Sequence, residues 1–335
     1  MEIQTKALYN LLCSNWKQNP RIAVKPWQVE DYRSIPMEDL WQRLKLLGID
    51  LDEKRFRVYV ENCDNPEELV ECLWLEDDDL EGQDHAYLTL FELWRRLFPK
   101  KQSLSLFCDE LDHRIDLYDE NVDGAEELVQ EALSELEDTL DQNVDHGVTP
   151  KDVFATIMTY CAHDLESFLN DFIAEQIDAE NDIYASELID GFIEYVQDEK
   201  WFDFLRIRLL FMVDEQKAGM VLRRLLEQLQ EEPNLDLLLE IAQFLVHAED
   251  EGLFFQVIKQ SIGLIKKEED FQDLLSIVAD YYRCLDKEKE ESTIQKILDK
   301  RLSLQKSAEI AKGDPDFTFL QSHLEEIISS NFQDL

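Results

Sequence analysis

Glycine and proline are scarce, with nine and eight in 335 residues. Few sharp turns therefore punctuate the chain, and long helices are favoured over short strands joined by tight turns. Basic residues are scarce too: 33 Lys and Arg face 75 Asp and Glu, a formal net charge of -42, with an isoelectric point near 4.3. A surface of that sign repels nucleic-acid phosphates and anionic membranes and attracts basic proteins or cations. No apolar run approaches the ~18 residues of a membrane span. The N-terminal MEIQTKALYNLLCSNW has no basic segment leading into an apolar one, so no secretory leader is expected. The six cysteines, Cys13, Cys63, Cys72, Cys108, Cys161 and Cys284, form no CxxC pair and read as reduced thiols of a cytoplasmic protein.

Motifs of catalysis are also missing. There is no HExxH helix, no GxSxG elbow, and neither the GxxxxGK[ST] nor the GxGxxG phosphate loop. The six histidines, His85, His113, His146, His163, His247 and His323, are scattered singly, and Cys161, His163 and Asp164 have no second ligand pair at zinc-finger spacing. Carboxylates abound, yet nothing singles out one pair for acid-base work. Neither an enzyme nor a cofactor is expected.

What is present is apolar and periodic. Hydrophobic residues make up 44% and aromatics 10%, enough to bury a core despite the charge. Apolar positions recur at helical spacing almost everywhere, so the fold class is all-α, built from helical hairpins. In SIPMEDLWQRLKLLG, Ser34 can cap, Pro36 can occupy the first turn and Gly48 can end a helix over about 36–47. In DNPEELVECLWL, Asp64 or Asn65 caps, Pro66 opens the helix, and Leu69, Cys72 and Leu73 are expected to face inward. Further helices cover AYLTLFELWRRLF, ending before Pro99, and 104–118. Trp41, Trp74 and Trp94 fall on apolar faces as core residues.

The second half repeats itself. LLLEIAQFLVHAEDEGLFFQVIKQSIGL from Leu237 and LLSIVADYYRCLDKEKEESTIQKILDKRL from Leu274 each read as helix, charged turn, helix, with starts 37 residues apart. In register, Leu238, Ile241, Ala242 and Leu245 match Leu275, Val278, Ala279 and Tyr282, and a third pair lies upstream and ends at Pro233. Over about 200–306 these residues resemble the tetratricopeptide repeat family, without its Trp and without Gly in the small slot. The resemblance implies an α-solenoid whose first helices line a concave groove that holds a segment of another protein. Its groove slots fall on Gln243, Val246 and His247 in one unit and on Asp280, Arg283 and Cys284 in the next, which makes Gln243, His247, Asp280 and Arg283 the candidate partner-binding residues.

Charge is concentrated in the middle. From Asp109 to Glu199 there are 28 acidic residues and two basic ones, Arg114 and Lys151. Two loops there alternate Asp and Asn as calcium loops do. DENVDGAEELVQ, 119–130, fails in its second half, where Glu126 replaces the apolar residue and Gln130 cannot chelate as a carboxylate. It reads better as the start of a helix whose Glu126 and Glu127 suit the helix dipole. DQNVDHGVTPKD, 141–152, resembles an EF-hand loop, with candidate ligands Asp141, Asn143, Asp145 and Asp152, although His146 stands where Gly is wanted and Asp152 is shorter than the usual Glu. Its partner loop would be QIDAENDIYASE, with Gln176 first, Ile183 in the apolar slot and Glu187 last.

Four regions are expected: an N-terminal helical domain at 1–118, an acidic helical region at 119–199, the solenoid at 200–308 and a helical tail at 309–335. The expected function is non-enzymatic, as an adaptor, chaperone or regulatory scaffold. It would bind a protein partner that is basic or carries a basic segment, with no direct nucleic-acid and no membrane contact. Two rivals stand beside it. One is a calcium-responsive EF-hand-like regulator. The other is an acidic carrier or decoy for a basic, nucleic-acid-binding protein, which a continuous negative face along the middle helices would favour.

Overall fold

The computed structural model describes residues 3–74, 79–144, 147–248 and 250–331. Among these the fold is all-α, with no β-strand and a single isolated antiparallel bridge, between Lys267 and Glu309. No helix among the described residues is long and apolar enough to cross a membrane. Residues 1–176 with 187–197 form one compact unit, and residues 177–186 with 198–335 form a second.

The first unit holds α1 (Lys6–Gln18), α2 (Met37–Leu46), α3 (Glu53–Asn62), α4 (Pro66–Leu73), α5 (Leu80–Leu97), α6 (Leu104–Asp119), α7 (Ala125–Val144) and α8 (Pro150–Met158), with most of α9 (Leu165–Asp178) and the end of α10 (Asp182–Phe192). Helix α5 runs through its first core, where Tyr87, Leu90, Phe91 and Trp94 meet Leu40 and Leu44 of α2, Phe56 and Val60 of α3, and Leu69 of α4. Trp94 is fully buried and its indole N–H donates to the Lys101 carbonyl at 3.0 Å, while Trp41 and Trp74 pack at the edge of the cluster.

Local signals act mostly where the sequence puts them. Asn65 accepts from the Glu68 amide at 2.8 Å, Glu68 in turn accepts from the Asp64 amide, and Pro66 opens α4. Gly48 adopts φ +85°, which lets the Ile49 amide reach back to Leu44 and close α2. Two expectations are corrected. Ser34 does not cap α2: it lies in a short 3-10 turn and its hydroxyl donates to the Asp31 carbonyl, leaving Pro36 at the capping position without a side-chain bond. Cys72 does not face inward. The buried stripe of α4 runs through Pro66, Leu69 and Val70 and continues to Leu73, which places Cys72 on the flank, exposed.

The second unit contains α11 (Glu199–Val213), α12 (Glu215–Glu231), α13 (Leu235–Leu245), α14 (Glu251–Ile262), α15 (Glu268–Cys284), α16 (Glu288–Arg301) and α17 (Pro315–Asn331). Helices α11 and α12, α13 and α14, and α15 and α16 pack as hairpins; α13 also lies against α15, and α12 against α14. Helix α17 packs on α14. It reaches α15 through Phe317 against Phe271, with ring centres 5.2 Å apart, and His323 Nε2 against the Tyr282 hydroxyl at 2.8 Å.

Arg301 ties three of these helices together while almost wholly buried. Its guanidinium meets Glu268 of α15 at 2.5 and 2.8 Å, Asp314 at 2.9 and 3.0 Å and Asp316 of α17 at 3.3 Å, and it lies 4.8 Å from the Phe271 ring centre. Removing one member of such a pair strands the other charge out of water, at a cost of about 3–5 kcal/mol. Arg301→Ala is therefore expected to destabilise the second unit by about that much in urea unfolding. Pairing Arg301→Met with Glu268→Gln should return part of the loss, because no buried charge is then left at position 268.

Candidate functional site

The four residues proposed to meet a partner lie on α13, the turn after it, and α15. Helix α13 is held at its start by Asn234, whose side chain accepts from the Leu237 amide at 3.1 Å, and it buries Leu237, Leu238, Ile241, Ala242 and Leu245. Gln243 and His247 are exposed, one turn apart. Helix α15 buries Leu275, Val278, Ala279 and Tyr282 and leaves Asp280 half-buried and Arg283 exposed. The structure brings His247 beside Cys284, with Nδ1 and Sγ 3.7 Å apart. It also brings Arg283 between Asp280 at 2.6 Å and Glu291 at 2.7 Å. Arg283 is thus already engaged, and a partner carboxylate would have to compete with both acids. Val246, a groove slot in the repeat resemblance, is buried at 3% exposure and belongs to the core.

A hollow in the same unit escaped the sequence reading. It measures about 530 Å³ and is lined by Phe211, Gly219, Met220 and Leu253 under a rim that includes Glu215, Glu251 and the Arg223–Asp250 ion pair at 2.7 Å. Met212, Val213 and Met220 are exposed nearby in sequence. Periodicity alone could not reveal this: LLFMVDEQKAGM reads as the middle of a helical hairpin, and helical spacing does not show that residues around its turn leave a hollow.

A polar cleft of about 460 Å³ in the first unit also went unforeseen. It is bordered by Lys6, Asn10 and Lys17 of α1, by Arg33, and by Asp109, Asp112 and Asp116 of α6. Asp109 is buried with Lys6 at 3.1 Å and Arg33 at 2.7 Å. Burial works to raise its carboxyl, but the two cations outweigh that and hold it down to about 2. Asp112 is raised by burial, which amide hydrogen bonds from Ala162, His163 and Asn10 only partly offset. His163 meets Asp116 at 3.0 Å, and that hydrogen bond raises it against the pull of burial. The nearest sequence signal was the pair Asp109 and Asp112 on the apolar face of α6, but their partners lie up to 102 residues away.

Three of the four calcium candidates already have hydrogen-bond partners. Asp141 and Asn143 sit in the last turn of α7, where Asp141 accepts from the Tyr195 hydroxyl and Asn143 donates to the Thr139 carbonyl. Asp152 is in the first turn of α8 and accepts from the Thr149 hydroxyl. Asp145 and His146 lie outside the described residues. Val148 and Ile183, which an EF-hand pair would bury, are 45% and 79% exposed. In the other loop Asn121 and Gly124 take positive φ and α7 begins at Ala125, with Glu126 and Glu127 in its first turn. Among the described residues no three His, Cys, Asp or Glu side chains are grouped to hold a metal ion.

No family model, curated protein or solved structure matches this chain.

Two outcomes are expected. The Asp109 carboxyl falls from 3.8 to about 2 on folding, and about 1.4 kcal/mol per pH unit makes that roughly 2 kcal/mol of stability. A depressed carboxylate stabilises above its unfolded value and loses that contribution as pH falls through the folded one. Asp109→Asn should therefore be less stable than wild type at pH 7, with the gap closing between 3.8 and about 2 in denaturation curves taken across that range. Calcium at micromolar concentration should give no saturable heat in isothermal titration; a saturable heat abolished by Asp141→Ala would restore the EF-hand reading.

Proposed function

We propose that the protein is a non-enzymatic binding protein whose acidic surface captures a basic protein segment, in the manner of an adaptor, chaperone or carrier. The observation that carries this is the outer face of α7. Glu127, Glu131, Glu135 and Asp138 are all exposed and spaced four, four and three residues apart, which aligns them along one side of the helix. At the end of α10 and in the turn after it, within the same unit, Glu187, Asp190 and Glu194 are exposed at spacings of three and four. Like charges one turn apart repel by about 0.2–0.5 kcal/mol each. A basic ligand would relieve that repulsion, and the long-range field would speed its approach.

The negative face along a middle helix favours the carrier or decoy form of this function. In the second unit, the pairing of α13 with α15 and of α12 with α14 supports a tetratricopeptide-like solenoid at 200–308. Gln243, His247, Asp280 and Arg283 are proposed as its contacts with the same class of partner. A cytoplasmic location suits the reduced thiols and such a role.

The test uses a fluorescent Lys/Arg-rich peptide and anisotropy at several salt concentrations. Changing Glu127, Glu131 and Glu135 to Gln and Asp138 to Asn should weaken binding about tenfold, or about 1.4 kcal/mol, and flatten its salt dependence. Neutralising four exposed acids elsewhere should do much less. Equal losses from both sets would reduce the effect to net charge and defeat the α7 assignment. Arg283→Glu, assayed beside it with a thermal melt, tests the α13–α15 face separately.

A further inference from the structure

His247 and Cys284 stand 37 positions apart, at the same slot of two successive hairpins, and the packing of α13 against α15 sets them side by side. The imidazole Nδ1 and the thiol Sγ are 3.7 Å apart, within reach for the thiol to donate to the ring nitrogen. Both side chains are exposed, so a reagent from solvent can meet them. Both also hang from rigid supports. Val246, just before the histidine, is buried in the core. Tyr281 and Tyr282, just before Arg283 and Cys284, are buried as well, and Tyr281 stacks on Phe254 of α14 with ring centres 3.7 Å apart. The end of α15 is closed by the Leu285 amide donating to the Tyr281 carbonyl and the Lys287 amide donating to that of Tyr282.

We infer that Cys284 is a thiol-modification site that exchanges with small disulfides, with His247 as its general base. The Cys284 sulfur attacks one sulfur of the disulfide, and its proton passes to His247 Nδ1. The S–S bond of the reagent breaks, and the departing thiolate takes the proton from the imidazole and leaves as a thiol. One disulfide is consumed and one mixed disulfide is formed, so no further oxidant or reductant is required. A second thiol reverses the exchange.

Two features favour this chemistry. Negative charge on the attacking sulfur would build up at the C-terminal end of α15, where the helix dipole opposes it and Asp280 lies one turn back. Handing the proton to His247 during the attack avoids that build-up. Cys284 is also the sole cysteine of the second unit, so no disulfide can close within that unit and the product carries a sulfur from outside it. Cys72 supplies an internal comparison: it is exposed too, in the last turn of α4, and among the described residues no histidine is hydrogen-bonded to it. The reaction is independent of the protein-binding proposal.

The experiment mixes the full-length protein with cystamine near neutral pH, quenches samples with acid over time and follows the cysteamine adduct on each cysteine peptide by mass spectrometry. Cys284 should gain its adduct at least about tenfold faster than Cys72, and dithiothreitol should remove it. His247→Asn changes an exposed side chain and should bring Cys284 down to the rate of Cys72, with the rate at Cys72 and the thermal melt unchanged. His247→Gln, assayed beside it, should do the same, which keeps the test decisive if one variant is unstable. Equal rates at the two thiols of the wild type overturn the inference, and so does a rate at Cys284 that neither variant alters. A Cys284–Cys284 crosslink between two copies in place of the adduct would overturn it too.

Discussion

Taking a carboxylate out of water costs several kcal/mol unless cations and hydrogen bonds go with it. A chain with 75 acidic and 33 basic residues can supply that for only a few sites. Three buried acids do have cations beside them: Lys6 and Arg33 on Asp109, Arg95 and Arg96 on Glu92, Arg301 on Glu268. Asp112 is held by three N–H donors, which only partly offset the burial that raises its affinity for its proton. The acidity of the surface is the other side of this distribution. Within 109–199, where two cations accompany 28 acids, α7 and α10 turn rows of carboxylates to solvent.

The helical fold was legible because its signals are local. Asn65 with Pro66 at the start of α4, and Gly48 at the end of α2, act within a few residues of where they stand. The repeated apolar register of α13 and α15 also emerges as buried positions, from Leu238 and Ile241 to Val278 and Tyr282. Errors arose where two local solutions competed. Ser34 had a nearby carbonyl at Asp31 and took that bond over a cap on α2. Cys72 is apolar enough to be counted with the core, but α4 has only two turns and its stripe passes to one side.

The candidate sites were less legible because they depend on distance along the chain. Arg33 meets Asp109 across 76 positions, and the Ala162 amide meets Asp112 across 50, so neither juxtaposition leaves a trace in any short window. The exposed positions Gln243, His247 and Arg283 could be found from repeat register, since exposure follows from the helix period once the buried side is known. What register could not foresee was that Asp280 and Glu291 would already hold Arg283.

The start of α15 has an implication for the order in which the chain becomes structured. Lys267 gives that helix no side-chain cap, and the amides of Glu268 and Glu269 donate instead to the carbonyls of Ala308 and Lys306, with Ile310 donating back to Lys266. Glu268 waits in the same way for Arg301. During synthesis, then, α15 leaves the ribosome with its first turn unsatisfied and its buried acid unpaired, and both are settled some forty residues later. The start of α15 is thereby expected to settle only once residues 301–310 are in place.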